Sequence, residues 1–377
     1  MPAWSDTMSP VRHTGPPGML DATRSTPRPG GLSMAQHKVV VDPAFRKMGE
    51  IFSELDRRRL EDLCSIVWGQ DEPMPEAEAR MAVLDADAVV CSQWRYGDSI
   101  YQARRLKAIF SVSGGFQTDF DYEYCHQRHI QYLSCAPAFG PQVAEMALGL
   151  AIAAARTMVT ADRDFRDGTE TYLWASNRDT FTLFDKPVGF IGFGGLAQNL
   201  RQLLQPFRPR IQVYDPWLSD GYIRSQGCTP VSLPELMSQN RFVFVLAVPS
   251  ADNSAMIDRS LLERLGPDTV FLLMSRAHVV DFDALTDLLQ QGRFRAGIDV
   301  FPEEPLASDH PIRNVDNAIL SAHRAGSVPE ALWDIGRMVV DDLEAVLNDL
   351  PARRMQPALP QLTGRYARNA ARRGRRK

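Results

Sequence analysis

Three polar side chains each follow a short apolar run in the second half of the chain. Arg276 comes directly after "VFLLMS", Glu304 lies in "DVFPEEPL", and His323 ends "AILSAH". The apolar runs are typical of buried strands, and open α/β sheets bind ligands beyond the carboxyl ends of their strands. An arginine can hold a carboxylate, a histidine can donate a proton to a carbonyl oxygen, and a carboxylate can orient that histidine. Together the three residues have the chemistry needed to reduce a 2-keto acid by hydride transfer.

A glycine-rich turn is a second candidate site. The segment "GFGGLA" follows the strand-like "VGFI" and matches the pattern G-x-G-x-x-G/A. In this pattern the glycines permit a tight turn and let a pyrophosphate approach the backbone, and the small last residue permits close helix–sheet packing. The residues predicted to bind the cofactor here are Gly192, Gly194, Gly195, Leu196 and Ala197.

The acid expected to bind the ribose diol of the cofactor is Asp215. It ends the next strand-like run, 23 residues after Gly192, where about 20 are expected. Because a carboxylate repels a 2′-phosphate, this residue favours NAD over NADP.

The runs around these residues predict two α/β blocks. The first contains "KVVVD", "DAVVCS" and "KAIFSVS", with a helical stretch between the first two. The second begins at Pro187 and contains six short apolar runs, most of them separated by helical connectors, which is typical of a doubly wound parallel sheet. A final amphipathic stretch, 329–350, predicts a helix that packs back on the first block.

These patterns divide the chain into four parts. We predict a disordered N-terminal extension at 1–36, because the first 33 residues are rich in Pro, Gly, Ser and Thr. We predict a substrate domain at 37–141 and 325–351, with an NAD-binding Rossmann domain, 142–324, inserted in it. We predict a basic disordered tail at 352–377, which holds nine Lys/Arg and no acid.

Composition restricts the classes of partner. The formal net charge of −4 is too small to predict a nucleic-acid partner, and no apolar run reaches the roughly 18 residues of a membrane span. The five cysteines are scattered and odd in number, which favours free thiols in a reducing cytoplasm over disulfides. They have no metal-ligand spacing with a histidine, so we predict no metal site.

The segment "RAHVVDFDALTDLLQQGRFRAGIDVFPEEPL" followed by "SAHRAG" resembles the signature region of the D-isomer-specific 2-hydroxyacid dehydrogenases. The stretches "VAEMALGLAIAAAR" and "FIGFGGLA" also match, so the resemblance covers about His37 to Leu350. It implies an NAD-dependent oxidoreductase that interconverts a 2-keto acid and a D-2-hydroxy acid. It also implies two Rossmann-like doubly wound domains, the NAD-binding one inserted into a flavodoxin-like substrate domain, and a homodimer.

The resemblance also implies residue roles. The catalytic set is Arg276, which holds the carboxylate, His323, which donates or accepts the proton, and Glu304, which orients His323. Asp299, in "GIDV", corresponds to the acid that contacts the nicotinamide carboxamide. Pro249 and Ser275, which end two other strand-like runs, are assigned to the cofactor as well. The substrate-binding residues are predicted to be Ser113, Gly114 and Gly115, with Trp94 and Arg95 after "DAVVCS" facing the same cleft.

Departures from the family pattern leave the substrate open. Ala277 and His278 follow Arg276 where the family usually has glycine, and Ala322 precedes His323 where it usually has proline. A formate-specific relative would carry glutamine at Glu304. Two alternatives remain: an NAD-sensing regulator resembling a corepressor, and a dehydrogenase of another small oxyanion such as phosphite.

Overall fold

The computed structural model describes residues 37–117, 119–250 and 252–363, which belong to one compact unit. The predicted extension, 1–36, lies outside the described residues, as does the last part of the predicted tail, 364–377.

Five parallel strands near the start of the chain form most of a first sheet. The strand order is β2-β1-β3-β4-β5, the doubly wound order of a flavodoxin-like sheet. The predicted apolar runs are β1, β3 and β4, which are buried except for Lys38, whereas the strands "SIVW" and "QYLS" were not predicted. The bounds are β1 Lys38–Asp42, β2 Ser65–Trp68, β3 Ala88–Cys91, β4 Ala108–Ser111 and β5 Gln131–Ser134.

Seven parallel strands form the second sheet, in the order β12-β11-β10-β9-β6-β7-β8. Six of them are the six predicted runs, and the order is that of a Rossmann sheet extended by one strand. The two-residue strand β8 carries no pattern long enough to predict. The bounds are β6 Pro187–Ile191, β7 Arg210–Tyr214, β8 Thr229–Pro230, β9 Phe242–Val245, β10 Val270–Leu273, β11 Arg295–Ile298 and β12 Ala318–Leu320. The predicted α/β class with two doubly wound parallel sheets is confirmed.

Helices connect most of the strands. They are α1 Met48–Ile51, α2 Glu54–Leu63, α3 Glu76–Val83, α4 Tyr122–Gln127, α5 Gly140–Ala155, α6 Met158–Asp167, α7 Gly195–Leu204, α8 Asp220–Ser225, α9 Leu233–Gln239, α10 Arg259–Leu262, α11 Phe282–Gln290 and α12 Pro329–Leu347.

The apolar helix α5 begins one residue before Pro141, which suits a first helical turn. With the turn before it, Ala136–Ala155 is the one stretch in the described chain long and apolar enough to cross a membrane. Ala147, Leu150 and Ala151 are buried in a cluster with strand residues of the second sheet. These contacts are typical of a core helix in a globular protein.

The last helix, α12, returns to the first sheet, as predicted. Ile335, Val339 and Leu343 are fully buried in one cluster with Val39 of β1 and Val90 of β3. Along the chain, the strands of the second sheet therefore fall between β5 and the helix that covers the first sheet. The exact domain boundaries stay a prediction.

A short C-terminal strand corrects the prediction that disorder begins at residue 352. Strand β13, Gln356–Pro357, pairs antiparallel with β5, and Met355 is only 3% exposed. The buried carboxylate of Asp342 on α12 accepts the backbone N–H groups of Arg353, Arg354 and Met355. The basic composition of 352–377 concealed this ordered segment, because a two-residue strand is too short to show an apolar period.

Candidate active site

The glycine-rich turn joins β6 to α7. Gly192 has a φ of +91°, and its N–H donates to the carbonyl of Tyr214 at 2.9 Å. A Cβ at this position would lie 2.6 Å from the Cα of Ala247, in the segment that follows β9. Both the backbone conformation and the close approach therefore require glycine here.

The other two glycines of the turn leave open space. A Cβ built on Gly194 or Gly195 meets no atom within 4 Å, and no side chain caps the N-terminus of α7. The first N–H groups of a helix have no partner within the helix and attract anions. Ala197 is fully buried, so the helix lies close to the sheet. This arrangement fits the diphosphate of a dinucleotide.

Asp215 follows β7 and lies beside the turn, where the spacing predicted it. One carboxylate oxygen accepts the N–H of Phe193, inside the turn, and the other accepts the N–H of Trp217, both at 2.8 Å. The carboxylate therefore holds the glycine turn in place and also gives this edge of the site a negative charge.

His323 and Glu304 form a direct pair. The Nδ1 atom of His323 lies 2.6 Å from one carboxylate oxygen of Glu304, and the other oxygen accepts the N–H of Phe301 at 3.0 Å. Burial raises the pKa of Glu304, but these hydrogen bonds and the charges of His323 and Arg276 outweigh it and leave the pKa below its ordinary value. A charged Glu304 thus accepts the Nδ1–H of His323, and Nε2 is left for a ligand.

The turn that carries His323 depends on Asp299. His323 has a φ of +47°, and its N–H donates to the carbonyl of Asp299 at 2.7 Å. The Asp299 carboxylate, 1% exposed, accepts the N–H groups of Arg324 and Ala325 at 3.1 and 3.2 Å. Since a buried charge needs such donors, these bonds hold the turn in one conformation. The sequence does not predict this contact. It is made by Asp299, the same residue that was predicted to contact the nicotinamide carboxamide.

Arg276 extends from the end of β10 and is exposed, and one guanidinium nitrogen donates to the carbonyl of Ser275 at 2.7 Å. The hydroxyls of Ser275 and of Ser321, at the end of β12, are buried without a partner in the described chain. Pro249 is half-buried after β9. Buried hydroxyls without partners are uncommon, so two of them at one edge of the sheet fit a site for a polar ligand.

The first sheet contributes the loop Ser113–Gly115 after β4. Gly114 has a φ of +84°, and a Cβ there would lie 2.6 Å from the ring of Phe139. The same ring lies 3.0 Å from the Cβ position of Gly326, three residues after His323. The predicted substrate loop and the turn that carries His323 therefore both contact Phe139.

Trp94 and Arg95 make contacts within the first sheet, and their assignment to the substrate stays a prediction. Trp94 is 8% exposed and packs edge-on against Tyr96, on the opposite face of the first sheet from Phe139. The Nε of Arg95 donates to the buried carboxylate of Asp42 at 3.0 Å. The structure thus gives both residues internal contacts, and no contact joins them to His323 or Glu304 within the described chain. Asp42, the partner of Arg95, lies 53 residues away in the sequence, so no local pattern predicts this contact.

Comparison with known proteins points to one family. Residues 148–325 match the model of the NAD-binding domain of D-isomer specific 2-hydroxyacid dehydrogenases. The solved structure of a phosphoglycerate oxidoreductase from Rhizobium etli is 32% identical, with a TM-score of 0.77, and the alignment covers 86% of this chain and 99% of that one.

Two curated relatives are more distant. The glyoxylate reductase of Korarchaeum cryptofilum is 26% identical over 74% of this chain and 85% of that protein. The D-3-phosphoglycerate dehydrogenase of Mycobacterium bovis is 27% identical over 71% of this chain, which spans 50% of that protein's length.

Two glycine substitutions should separate folding from cofactor binding. Gly192→Ala should lower the free energy of unfolding by at least about 2 kcal/mol, because a positive φ and a backbone clash both oppose it. Gly194→Ala should leave stability unchanged but weaken NADH binding about tenfold or more, since its methyl group enters the open space above the turn. Urea unfolding and NADH fluorescence titration measure the two effects.

The control is Gly266→Ala, whose added Cβ would meet only the Thr269 hydroxyl, at 3.8 Å. Full NADH affinity in the Gly194→Ala protein would place the diphosphate elsewhere.

Proposed function

The chain belongs to the D-isomer specific 2-hydroxyacid dehydrogenase family, and we propose that it interconverts a 2-keto acid and a D-2-hydroxy acid with NAD as its cofactor. The observation that carries the proposal is the 2.6 Å contact between His323 and Glu304, on the same sheet as the glycine turn. A histidine paired in this way can exchange a proton with a substrate oxygen.

His323 is the proposed acid in reduction and the base in oxidation. Because Nδ1 is held by Glu304, Nε2 is the atom that donates a proton to the substrate carbonyl oxygen. The Glu304 carboxylate orients the imidazole ring, and the Asp299 contacts hold the backbone that carries it in place. When bound, NADH supplies the hydride.

Arg276 and the Ser113–Gly115 loop are the proposed binding groups for the substrate carboxylate. The contact with the Ser275 carbonyl uses one nitrogen of Arg276 and leaves the rest of the guanidinium fork for a ligand. The backbone N–H groups of Ser113 and Gly115 make no hydrogen bond with the described chain. Donors on both sides of the cleft support binding of the substrate in one orientation.

An exposed apolar segment supports the proposal of a homodimer through the NAD-binding region. Phe165 of α6 is 64% exposed, and Leu173 and Trp174, in the following turn, are 85% and 72% exposed. Monomers rarely leave such a patch in water, so a second copy is the proposed cover. Light scattering should give twice the chain mass of 42.2 kDa, and Leu173→Glu should shift the protein to monomer. A monomeric unmodified protein would contradict this.

A cytoplasmic location is proposed from the thiols. Cys64, Cys91, Cys125, Cys135 and Cys228 are all free and buried. Fractionation of the native cells tests this, and recovery outside the cytoplasm would overturn it.

Substitutions in the catalytic set should have distinct effects. His323→Ala should lower kcat by about 10² to 10⁴ with NADH affinity nearly unchanged, because only proton transfer is lost. Glu304→Gln should keep partial activity, because the amide oxygen can still accept the Nδ1–H of His323 but forms a weaker, uncharged hydrogen bond. Arg276→Ala should mainly raise KM. Arg276→Lys should bring KM only slightly back toward its original value, because an ammonium group cannot form the two parallel hydrogen bonds of a guanidinium.

The measurement is NADH oxidation with glyoxylate, pyruvate, hydroxypyruvate and larger 2-keto acids. The control is His278→Ala, which removes a nearby imidazole whose Nε2 lies 3.1 Å from the carbonyl of Ser250. Full activity in the His323→Ala protein would reassign the proton donor, with His278 as the next candidate. A regulator would bind NADH and turn over none of the keto acids.

Cofactor choice should depend on the charge of Asp215. We expect the unmodified protein to prefer NADH over NADPH by at least about tenfold, or 1.4 kcal/mol, because the carboxylate repels a 2′-phosphate. Asp215→Asn should narrow that ratio while its remaining carbonyl oxygen still accepts a backbone N–H of the turn. Equal kcat/KM for both cofactors in the unmodified protein would show that Asp215 is not the discriminating group.

A further inference from the structure

Arg46, which the sequence analysis did not single out, is a half-buried cation with unused donors. Its Nε donates to the carbonyl of Val112 at 3.2 Å, and its two terminal nitrogens have no hydrogen-bond partner in the described chain. Burial lowers the pKa of its guanidinium, against the opposing influence of Cys135 and Glu50. Its terminal nitrogens are therefore charged donors with no partner in the described chain, and an anion can pair with them.

Serine hydroxyls tie the loop of Arg46 to the predicted substrate loop. The Ser92 hydroxyl donates to the carbonyl of Ala44, two residues before Arg46. The Ser111 hydroxyl donates to the carbonyl of Ser92 at 3.2 Å and lies 3.0 Å from the hydroxyl of Ser113. The loops after β1, β3 and β4 are thus joined at the carboxyl edge of the first sheet.

A shared aromatic ring places Arg46 on the side of the catalytic turn. Its guanidinium carbon lies 5.7 Å from the centroid of Phe139, the ring that contacts both Gly114 and Gly326. Arg46 therefore lies near the loop proposed to hold the substrate carboxylate, beside the ring that also contacts the turn after His323. The guanidinium also lies 4.9 Å from the ring of Phe45, which is 68% exposed.

Other partly buried arginines of the first sheet are paired with acids. Arg59 contacts Asp341 and Arg95 contacts Asp42, each through a direct ion pair. Arg46 forms no ion pair in the described chain, and the carboxylate of Glu50 accepts the N–H of Lys47 instead. Arg46 therefore has no acidic partner in the described chain, and its charge is available to an anion.

We propose that Arg46 binds a second anionic group at the far end of the substrate, so that the preferred substrates are 2-keto acids with two anionic groups, here called dianionic. The inference rests on the proposed function, because the first carboxylate is the one assigned to Arg276 and the Ser113–Gly115 loop. A guanidinium can bind either a carboxylate or a phosphate through paired hydrogen bonds.

The test compares keto acids that differ by one anionic group. The carboxylate arm pairs 2-ketoglutarate with its distal amide, and the phosphate arm pairs 3-phosphohydroxypyruvate with hydroxypyruvate. The unmodified protein should favour the dianion by tenfold or more in kcat/KM in at least one arm. Arg46→Gln should reduce that ratio at least tenfold, mainly through KM, and Arg46→Lys should reduce it less.

The matched control is Arg104→Gln, which removes the same charge from an exposed position before β4, at the opposite edge of the sheet. It should leave the ratio unchanged. Equal losses on the dianion and its partner in the Arg46→Gln protein, or no preference in the unmodified one, would overturn the assignment.

Binding separates this inference from the proposed function. Calorimetry with 2-ketoglutarate and 3-phosphohydroxypyruvate, in the presence of NADH, does not require turnover. If no keto acid is reduced but Arg46→Gln still weakens dianion binding tenfold, the proposed reaction fails and the anion site stands. If reduction proceeds and dianion binding is unaffected, the reaction stands and the role of Arg46 is wrong.

Discussion

The parallel pairing of β10, β11 and β12 is the constraint on which the site depends. Three neighbouring strands that run in one direction bring the segments after their carboxyl ends to one edge, and these segments carry Arg276, Glu304 and His323. Pairing alone does not orient a side chain. The Asp299 carboxylate adds that orientation, because it bonds the backbone of the turn after β12 from its buried position at the end of β11.

Other aspartate carboxylates in the described chain also hold turns in place by accepting backbone N–H groups. Asp215 accepts N–H groups of the glycine turn and of its own loop, and Asp342 accepts three successive N–H groups of the C-terminal segment. Turns and chain ends lack the repeating bonds of helices and strands, so their N–H groups need other acceptors. A carboxylate satisfies several of them at once, and its charge makes each bond stronger than a neutral one.

Phe139 lies between the loop Ser113–Gly115 of the first sheet and the turn that carries His323. Its ring occupies the space that side chains at Gly114 and Gly326 would need. The loop after β4 and the turn that carries His323 therefore approach each other across one aromatic side chain. The proposed donors of the Ser113–Gly115 loop and the guanidinium of Arg46 lie around this ring.

What the sequence determined by itself is what local patterns can encode. The apolar runs predict β6, β7, β9, β10, β11 and β12, and the glycine spacing with Asp215 predicts the dinucleotide turn, because each signal lies within a few dozen residues. What only the tertiary structure decided depends on distant partners. Arg95 is committed to Asp42, Met355 is buried by an edge strand beside β5, and Asp299 holds the His323 turn. Arg46 is distinguished by the lack of an acidic partner in the described chain. The residues next to it in the sequence cannot predict this, because such a partner would come from a distant part of the chain.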